Sequence, residues 1–538
     1  MKHQDILADC VISQAPRLLT SLDRNITSNT YGCFDRTYWQ YKTVDFPGAR
    51  SQEAALTLAL LYTSKTKPNP YHGNELVKEW IRAALEFWCA IQERGTFNEW
   101  YPHERSFVAT AFTTYAISET LLVLPELRTP RLLACLKASG DWLLRHDERR
   151  VFNQESGCVA ALYNLFLLTD DTRYRQGAER KVGFIVGHQN EEGWWYEYEG
   201  PDIGYLSLMI DYLSKYYKKS GDVRVRDALK RAIRFISFFV HPDGTAGGEY
   251  ASRNTEYLIP GGFFRMARES EDAAAIARSI TENIAKGQGI FPATLDDRYL
   301  TYISYNWLQA ALEPAPSAAG RLPCNIGEVS AEFPAAGIAV RGTPAFYLIA
   351  NGKKGGAFML FSKKAKLKMV ETGIVLLTRN GPYSNGRISA GNALSIEGDT
   401  VRVDAKFFRV TSHRMDSRKL LAIRAFQNTL GRSETLARLV KSKLRDMLIS
   451  KRTEGVGQLK REITIGDSVR IVDTVTLVPG TSEVVLNSKF AELYVPSSQY
   501  FQTPELQNER IRIPVTGKDI TIVRSIGSDG RVTVTDNR

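Results

Sequence analysis

The sequence predicts an α-then-β chain: an (α/α)6 toroid of helical hairpins, an incomplete barrel, followed by an antiparallel β-sandwich. Three observations carry that prediction. Apolar residues recur at helical spacing from residue 1 to about 312. Loops of one character, rich in Gly, Asn, Pro and aromatics, return six times within that stretch. Beyond residue 323 the apolar pattern switches to a period of two.

Helical spacing is clearest at 51–63, 75–93, 107–124, 130–146, 171–186, 206–219, 223–240 and 271–285. The recurring loops centre near Pro47, Asn98, Asn153, Trp194, Ala246 and Phe291, at intervals of 51, 55, 41, 52 and 45 residues. One loop per helical pair, six times, signals a stacked or closed helical array. With the aromatic loops at one end, the inner helices start at those loops and the loops line a shared cleft. An open solenoid of the same hairpins is the competing reading.

Residues 313–323, Glu-Pro-Ala-Pro-Ser-Ala-Ala-Gly-Arg-Leu-Pro, have linker composition. They divide a catalytic toroid at 1–312 from a β-domain at 324–538. All eight tryptophans precede them, the last being Trp307. Alternation then appears at 401–407, 462–473, 510–513, 519–523 and 531–535, the last after the turn Ser528-Asp529-Gly530. The stretch 433–448 interrupts the strands with a basic amphipathic helix that Ser433 is placed to cap. It is expected as a solvated helix over the sandwich, the alternative being a contact for anionic polymer or membrane.

A chain of 538 residues exceeds one core, and 43% hydrophobic with 24% charged residues describes a soluble globular protein. The formal net charge of +11 favours anionic partners. The six cysteines are far apart and form no CxxC pair, which argues against a zinc knuckle and against a disulfide framework. The first ten residues contain no apolar signal core, and no apolar run approaches the ~20 residues of a membrane span. A cytoplasmic location is expected, or a periplasmic or secreted one if a leader has been removed. No Walker loop, GxGxxG, HExxH or GxSxG is present, which excludes the chemistries those motifs serve. No nucleic-acid module appears.

The chain is organised around 191–205, Glu-Glu-Gly-Trp-Trp-Tyr-Glu-Tyr-Glu-Gly-Pro-Asp-Ile-Gly-Tyr. Its glycines and proline break any continuous helix, and a good helix starts at Tyr205. Stacked rings beside carboxylates suit a sugar, with Trp194, Trp195 and Glu199 as binding residues. A hairpin core built on Trp194 and Trp195 is the bland alternative. Three other junctions carry similar polar sets: Asn98, Glu99, Trp100 and His103; Asn153 and Gln154; and Tyr250, Arg253 and Asn254. Taken singly, Asn153 and Asn254 would serve as helix N-caps, His103 as a surface residue and Arg253 as an ion-pair member. Convergence on one face of a toroid favours a binding basin.

With these residues in view, the layout resembles the heparinase II/III-like polysaccharide lyases and their alginate-lyase relatives. That family places an Asn, often followed by His, at the start of an inner helix, and a catalytic Tyr one hairpin later. Here 153–163 resembles the first element and Glu199-Gly200-Pro201-Asp202-Ile203-Gly204-Tyr205 the second, 52 residues on, with Gln154 where His is common. The family also uses a histidine from the β-domain, where His413 stands alone in this sequence. The resemblance implies Asn153, Tyr205 and His413 as catalytic residues and an acidic polysaccharide or oligosaccharide, such as an exopolysaccharide, as partner. It calls for no cofactor, and the β-domain sequence offers no His/Asp cluster for a metal.

The chemistry suits these residue types. β-Elimination removes the C5 proton of a uronate, which is poorly acidic while the neighbouring carboxylate is charged. Asn153, with Gln154 or Arg253, would hold that carboxylate and stabilise the enolate-like intermediate. Tyr205 would act as base, as acid to the leaving oxygen, or both, and its free pKa of ~10 requires a cationic neighbour such as His413 or Arg253. A uronyl C5-epimerase uses the same groups. A glycoside hydrolase would need paired carboxylates, for which Glu99, Glu104, Glu199, Asp202 and Glu249 are candidates. A non-catalytic carbohydrate-binding protein of polysaccharide assembly explains the aromatics but not the convergence of Asn153, Tyr205 and His413.

Overall fold

The computed structural model describes residues 2–66, 68–318, 320–365, 367–411, 416–433, 436, 440, 455–489 and 500–537. The first half is helical: α1 (His3–Ile12), α2 (Ala15–Thr20), α3 (Arg36–Trp39), α4 (Ala54–Thr63), α5 (Glu75–Ala90), α6 (Phe107–Val123), α7 (Pro130–Arg145) and α8 (Phe152–Thr169) come first. They are followed by α9 (Thr172–Gly187), α10 (Ile203–Ser220), α11 (Val223–Ser237), α12 (Gly261–Met266), α13 (Glu271–Ala285), α14 (Asp297–Ile303) and α15 (Tyr305–Ala311).

Two burial patterns sort these helices into two layers. On α5 the most deeply buried residues, Val77, Ile81, Ala84, Leu85 and Trp88, form one stripe, as a helix with one wet side requires. On α6 every residue from Ala109 to Ser118 is buried, because that helix meets a neighbour on all sides. The inner ring runs α4, α6, α8, α10, α12, α15 and closes by α15 packing on α4. Outside it lie α5, α7, α9, α11 and α13 in order, and α1 packs against both α13 and α15. The N-terminal helix thus completes the sixth hairpin, so the array is a closed toroid and not a solenoid.

The axis of the toroid is filled by polar side chains. The Tyr212 and Tyr305 hydroxyls lie 3.0 Å apart, and Lys215 Nζ donates to Asn306 at 2.8 Å and pairs with Asp211 at 2.6 Å. Arg265 bridges Asp211 and Glu313. Buried charges stand because they are paired in this way.

The second half is antiparallel throughout the described residues. A five-stranded sheet runs in order through β1 (Val329–Phe333), β2 (Ile338–Gly342), β3 (Phe346–Asn351), β4 (Ala357–Ser362) and β5 (Lys368–Glu371). A second sheet contains β6 (Val375–Thr378), β7 (Gly381–Ser384), β8 (Ala393–Glu397), β9 (Thr400–Arg409), β10 (Val456–Ile465) and β11 (Val469–Thr476). It also contains β12 (Thr481–Leu486), β13 (Ile511–Pro514), β14 (Asp519–Ile526) and β15 (Val532–Asn537). Its order is β13-β12-β6-β7-β9-β10-β11-β14-β15, with β8 paired to β9.

The five-stranded sheet is buried on both faces. Phe346, Leu348 and Ala350 of β3 pack with Val401 and Ile463 of the second sheet, while Tyr347 and Ile349 join the core of the toroid. Tyr347 Oη donates to the Phe238 carbonyl at 2.7 Å, Asn351 Nδ2 to the Tyr250 carbonyl at 2.7 Å, and the Phe333 ring packs against Phe235, Phe238 and Phe239. Between the sheets, Arg461 and Arg524 pair with Glu371 and Asp473, all four without solvent exposure. The segment leading into the sandwich lies along α13, where Arg278 donates to the Ser317 and Gly320 carbonyls.

The helix expected at 433–448 falls almost wholly outside the described residues. What the insert between β9 and β10 does contain is α16 (Ser417–Asn428), which meets the toroid. Arg424 pairs with Asp45 at 3.0 Å, and Arg105 donates to the Arg432 carbonyl. No described helix is long and apolar enough to cross a membrane.

Candidate active site

The loop Glu197–Asp202 is the hub of the toroid's loop end. Asp202 is the N-cap of α10, and its Oδ1 accepts the Tyr205 backbone N–H at 3.1 Å. The same carboxylate accepts from Thr255 Oγ1 and from the Arg253 and Thr255 backbone N–H groups. A Cβ at Gly204 would run into the Thr255 side chain, so glycine lets the fifth hairpin's loop close on the start of α10. Tyr205 stands half-buried in the first turn of α10. Tyr257 lies beside it, its hydroxyl pushed well up by burial and by the neighbouring Tyr205, Tyr299, Asp202 and Tyr500.

Asn153 sits in the first turn of α8 but does not cap it. Its backbone N–H and Nδ2 both donate to Glu197 Oε1, at 3.1 and 3.0 Å, so the carboxyl from the next hairpin caps α8 instead. The Glu197 carboxyl is buried, and Oε2 has no hydrogen-bond partner. Burial, with Asp202 and Glu148 adding negative potential, pushes it up to about 8 against the pull of the Asn153 bonds. Glu197 therefore keeps its proton well above the usual carboxylate range. The sequence does not single it out, because there it looks like its neighbours Glu191, Glu192 and Glu199. Gln154 follows Asn153 on α8, half-buried.

Arg253 and Asn254 lie in the fifth junction. The Arg253 guanidinium stacks on the Tyr198 ring at 4.1 Å, is 4% exposed, and its Nε and Nη2 have no hydrogen-bond acceptor. Tyr198 adopts φ 67° and Asn254 φ 57°, the left-handed region that is rare for a bulky ring and better tolerated by Asn. Asn254 Oδ1 accepts from Lys354 Nζ, which also donates to the Ala251 carbonyl at 2.6 Å. Lys354 belongs to the turn after β3, so the sandwich enters the site through this lysine. Burial pulls its ammonium pKa down, while Glu249, Asp202 and Glu199 oppose that change. Glu199 is half-buried beside this group, its backbone N–H donating to the Glu197 carbonyl.

The second junction forms a separate cavity at the same end. Asn98 Nδ2 donates to Glu93 at 3.2 Å and Oδ1 accepts the Arg105 N–H; His103 Nδ1 is 3.1 Å from Glu93. Glu99 lies 4.0 Å from Arg50 and 3.5 Å from Arg298, whose guanidinium stacks on the half-exposed Trp100 ring at 4.0 Å. Arg36, Tyr41, Phe46, Glu99, Trp100 and Arg298 help line a cavity of about 450 Å³, and Arg424 of α16 rests over Phe46 at its edge.

Several sequence assignments are corrected. Trp194 and Trp195 are 0% and 1% exposed, their indole N–H groups donating to Glu192 and to the Ile185 carbonyl, so neither ring has a face for a sugar. Tyr250 is fully buried, its hydroxyl 2.9 Å from His241 Nε2. Of the carboxylates weighed for hydrolysis, Asp202 is committed to its cap. Glu104 holds the Glu99 and Trp100 N–H groups, and Glu249 is unexposed against Thr372. His413 lies outside the described residues. Among those residues no cluster of three His, Cys, Asp or Glu stands ready for a metal.

No protein-family model matches the chain, and no curated protein matches it in sequence. Solved structures do match in fold. Chondroitin AC lyase from Streptomyces coelicolor A3, solved with chondroitin sulphate, superposes with a TM-score of 0.55 at 11% identity, covering 90% of this chain and 68% of that one. Heparinase III gives a TM-score of 0.50 at 11% identity, covering 100% of this chain and 82% of its own. The fold is thus that of heparinase-like polysaccharide lyases, a helical toroid followed by a β-sandwich.

Proposed function

We propose that the chain is a polysaccharide lyase-like enzyme that cleaves an acidic, uronate-containing polysaccharide by β-elimination. The observation that carries this reading is Arg253. A buried guanidinium with two unpaired nitrogens costs roughly 1–3 kcal/mol per missing partner, and such a cost persists where an anion completes the site. It lies one junction from Tyr205 and two from Asn153, on the same end of a fold whose solved examples include lyases named for acidic polysaccharides.

In this reading the uronate carboxylate docks on Arg253 and on the Asn153 side chain. Neutralising it makes the C5 proton removable, since the charge that develops on the carboxylate oxygens meets preorganised donors. Tyr205 takes that proton as phenolate or passes one to the departing O4 as phenol. The C4–O4 bond breaks, a C4–C5 double bond forms, and the chain ends in an unsaturated uronate. Glu197 keeps Asn153 in place while neutral, so it brings no repelling charge near the substrate carboxylate. His413 keeps the role that the resemblance implies, a catalytic residue from the β-domain that serves as a cationic neighbour to Tyr205. Trp100 and Arg298, in the neighbouring cavity, offer a ring face and a cation to a further sugar unit. Commitment of Asp202, Glu104 and Glu249 to the scaffold weighs against the hydrolase alternative.

The test is incubation with a panel of acidic polysaccharides, followed through the ultraviolet absorbance of an unsaturated uronate. Absorbance rising with new chain ends supports a lyase. New ends without absorbance would mean a hydrolase, and C5 inversion without new ends an epimerase.

A further inference from the structure

We infer that Cys89 and Cys135 form a redox-sensitive cross-link site that staples α5 to α7 beneath the loop carrying Asn98, Glu99 and Trp100. In the sequence these cysteines are 46 positions apart and nothing pairs them. The fold does. Outer helices α5 and α7 lie side by side, and three contacts fix their register. One turn before Cys89, Glu86 meets Arg131 at 2.9 Å, and Arg131 is one turn before Cys135. Just past Cys89, Gln92 Nε2 donates to the Cys135 carbonyl at 2.8 Å and to Ser139 Oγ at 2.9 Å. Positions 86, 89 and 92 therefore face 131, 135 and 139, which sets the two thiols opposite each other.

The thiols are close enough to feel one another: burial first, then the Cys135 thiol, pushes the Cys89 thiol up. Cys10, Cys33, Cys158 and Cys324 are buried, and none has another cysteine among the groups acting on it. Gln92 leads directly into Glu93, which holds Asn98 and His103, so a staple at Cys89 anchors the root of that loop.

The chemistry assigns different roles to the two sulfurs. Cys135 is the more accessible, so its thiolate attacks a low-molecular-weight disulfide, forming a mixed disulfide and releasing one thiolate. Cys89 then gives up its proton to solvent and attacks the Cys135 sulfur, forming the Cys89–Cys135 bond and releasing the second thiolate. Two protein thiols are oxidised and one small disulfide is reduced to two thiols.

The experiment uses the full chain, reduced, desalted and incubated with oxidised glutathione at about pH 8.5, near the free thiol pKa. Remaining thiols are alkylated in denaturant and the peptides mapped by mass. The expected result is a peptide pair joined through Cys89 and Cys135 and lighter by two hydrogens. A rise of a few degrees in melting temperature should accompany it, because closing the loop restricts the unfolded chain, and dithiothreitol should reverse both. Cys135→Ser, or Cys135→Ala if the serine variant folds poorly, should lose the cross-link. A glutathione adduct left on Cys135 with Cys89 alkylated, or a bond through any other cysteine, would overturn the inference. The map of the unmutated chain decides this even if neither variant folds, and it does so independently of any lyase activity.

Discussion

Glu197 shows how burial sorts residues that look alike. The fold holds its proton up to about pH 8, whereas an unperturbed glutamate releases it near 4.5. Stability from this group is thus fully present below about pH 4.5 and is lost as pH rises toward 8. A tenfold difference in proton affinity between the folded and unfolded chain is worth about 1.4 kcal/mol, so the loss is on the order of 2–4 kcal/mol. Glu197→Gln keeps an oxygen for Asn153 and cannot ionise. Between about pH 5 and pH 8 the unmutated protein should lose that much more stability than the variant in urea unfolding, and parallel curves would contradict the assignment. Asn153, Tyr205 and Arg253 were legible in the sequence because each stands at a loop-to-helix junction. Glu197 was not, since four glutamates in 191–199 share one context. Trp194 and Trp195 misled for a related reason: a ring that fills a core and a ring that stacks on a sugar leave the same letters. Lys354 was invisible because its partners, Ala251 and Asn254, lie about a hundred positions away.

The junctions owe their geometry to loops that cap their neighbours' helices. Asp202 caps α10 while holding two backbone N–H groups of the fifth junction. Asp202→Ala would orphan these buried donors and remove the cap, a loss of roughly 2–4 kcal/mol. The urea midpoint should fall accordingly, and a change below about 1 kcal/mol would show that the loops hold without it. The hairpins themselves were legible because the outer helices carry one apolar stripe and the loops repeat. The toroid was legible from the six-fold spacing, but the elements that close it were not, namely α1 at the other end of the chain and the short α12. Alternation revealed only strands of the second sheet. Strands β2 to β4 are buried on both faces, between the toroid and that sheet, and so read as continuous apolar runs.

That shared sheet makes the whole molecule one structural unit. Tyr347 and Ile349 belong to the toroid's core while Phe346 and Leu348 belong to the sandwich's, so neither half can melt without baring a face of the other's core. Calorimetry should show a single unfolding transition, and two well-separated peaks would contradict the shared core. The same packing brings Lys354 to the loop end, beside the junctions that hold Asn153, Tyr205 and Arg253. In the proposed β-elimination at this end of the toroid, Tyr205 carries the proton. Unsaturated-uronate absorbance compares the turnover of Tyr205→Phe with that of the unmutated protein, on whichever acidic polysaccharide of the panel the unmutated protein turns over. Removing the hydroxyl while keeping the ring should lower turnover by ~10²–10⁴-fold with substrate binding retained. Near-normal turnover with weakened binding would make Tyr205 a stacking residue and contradict the account.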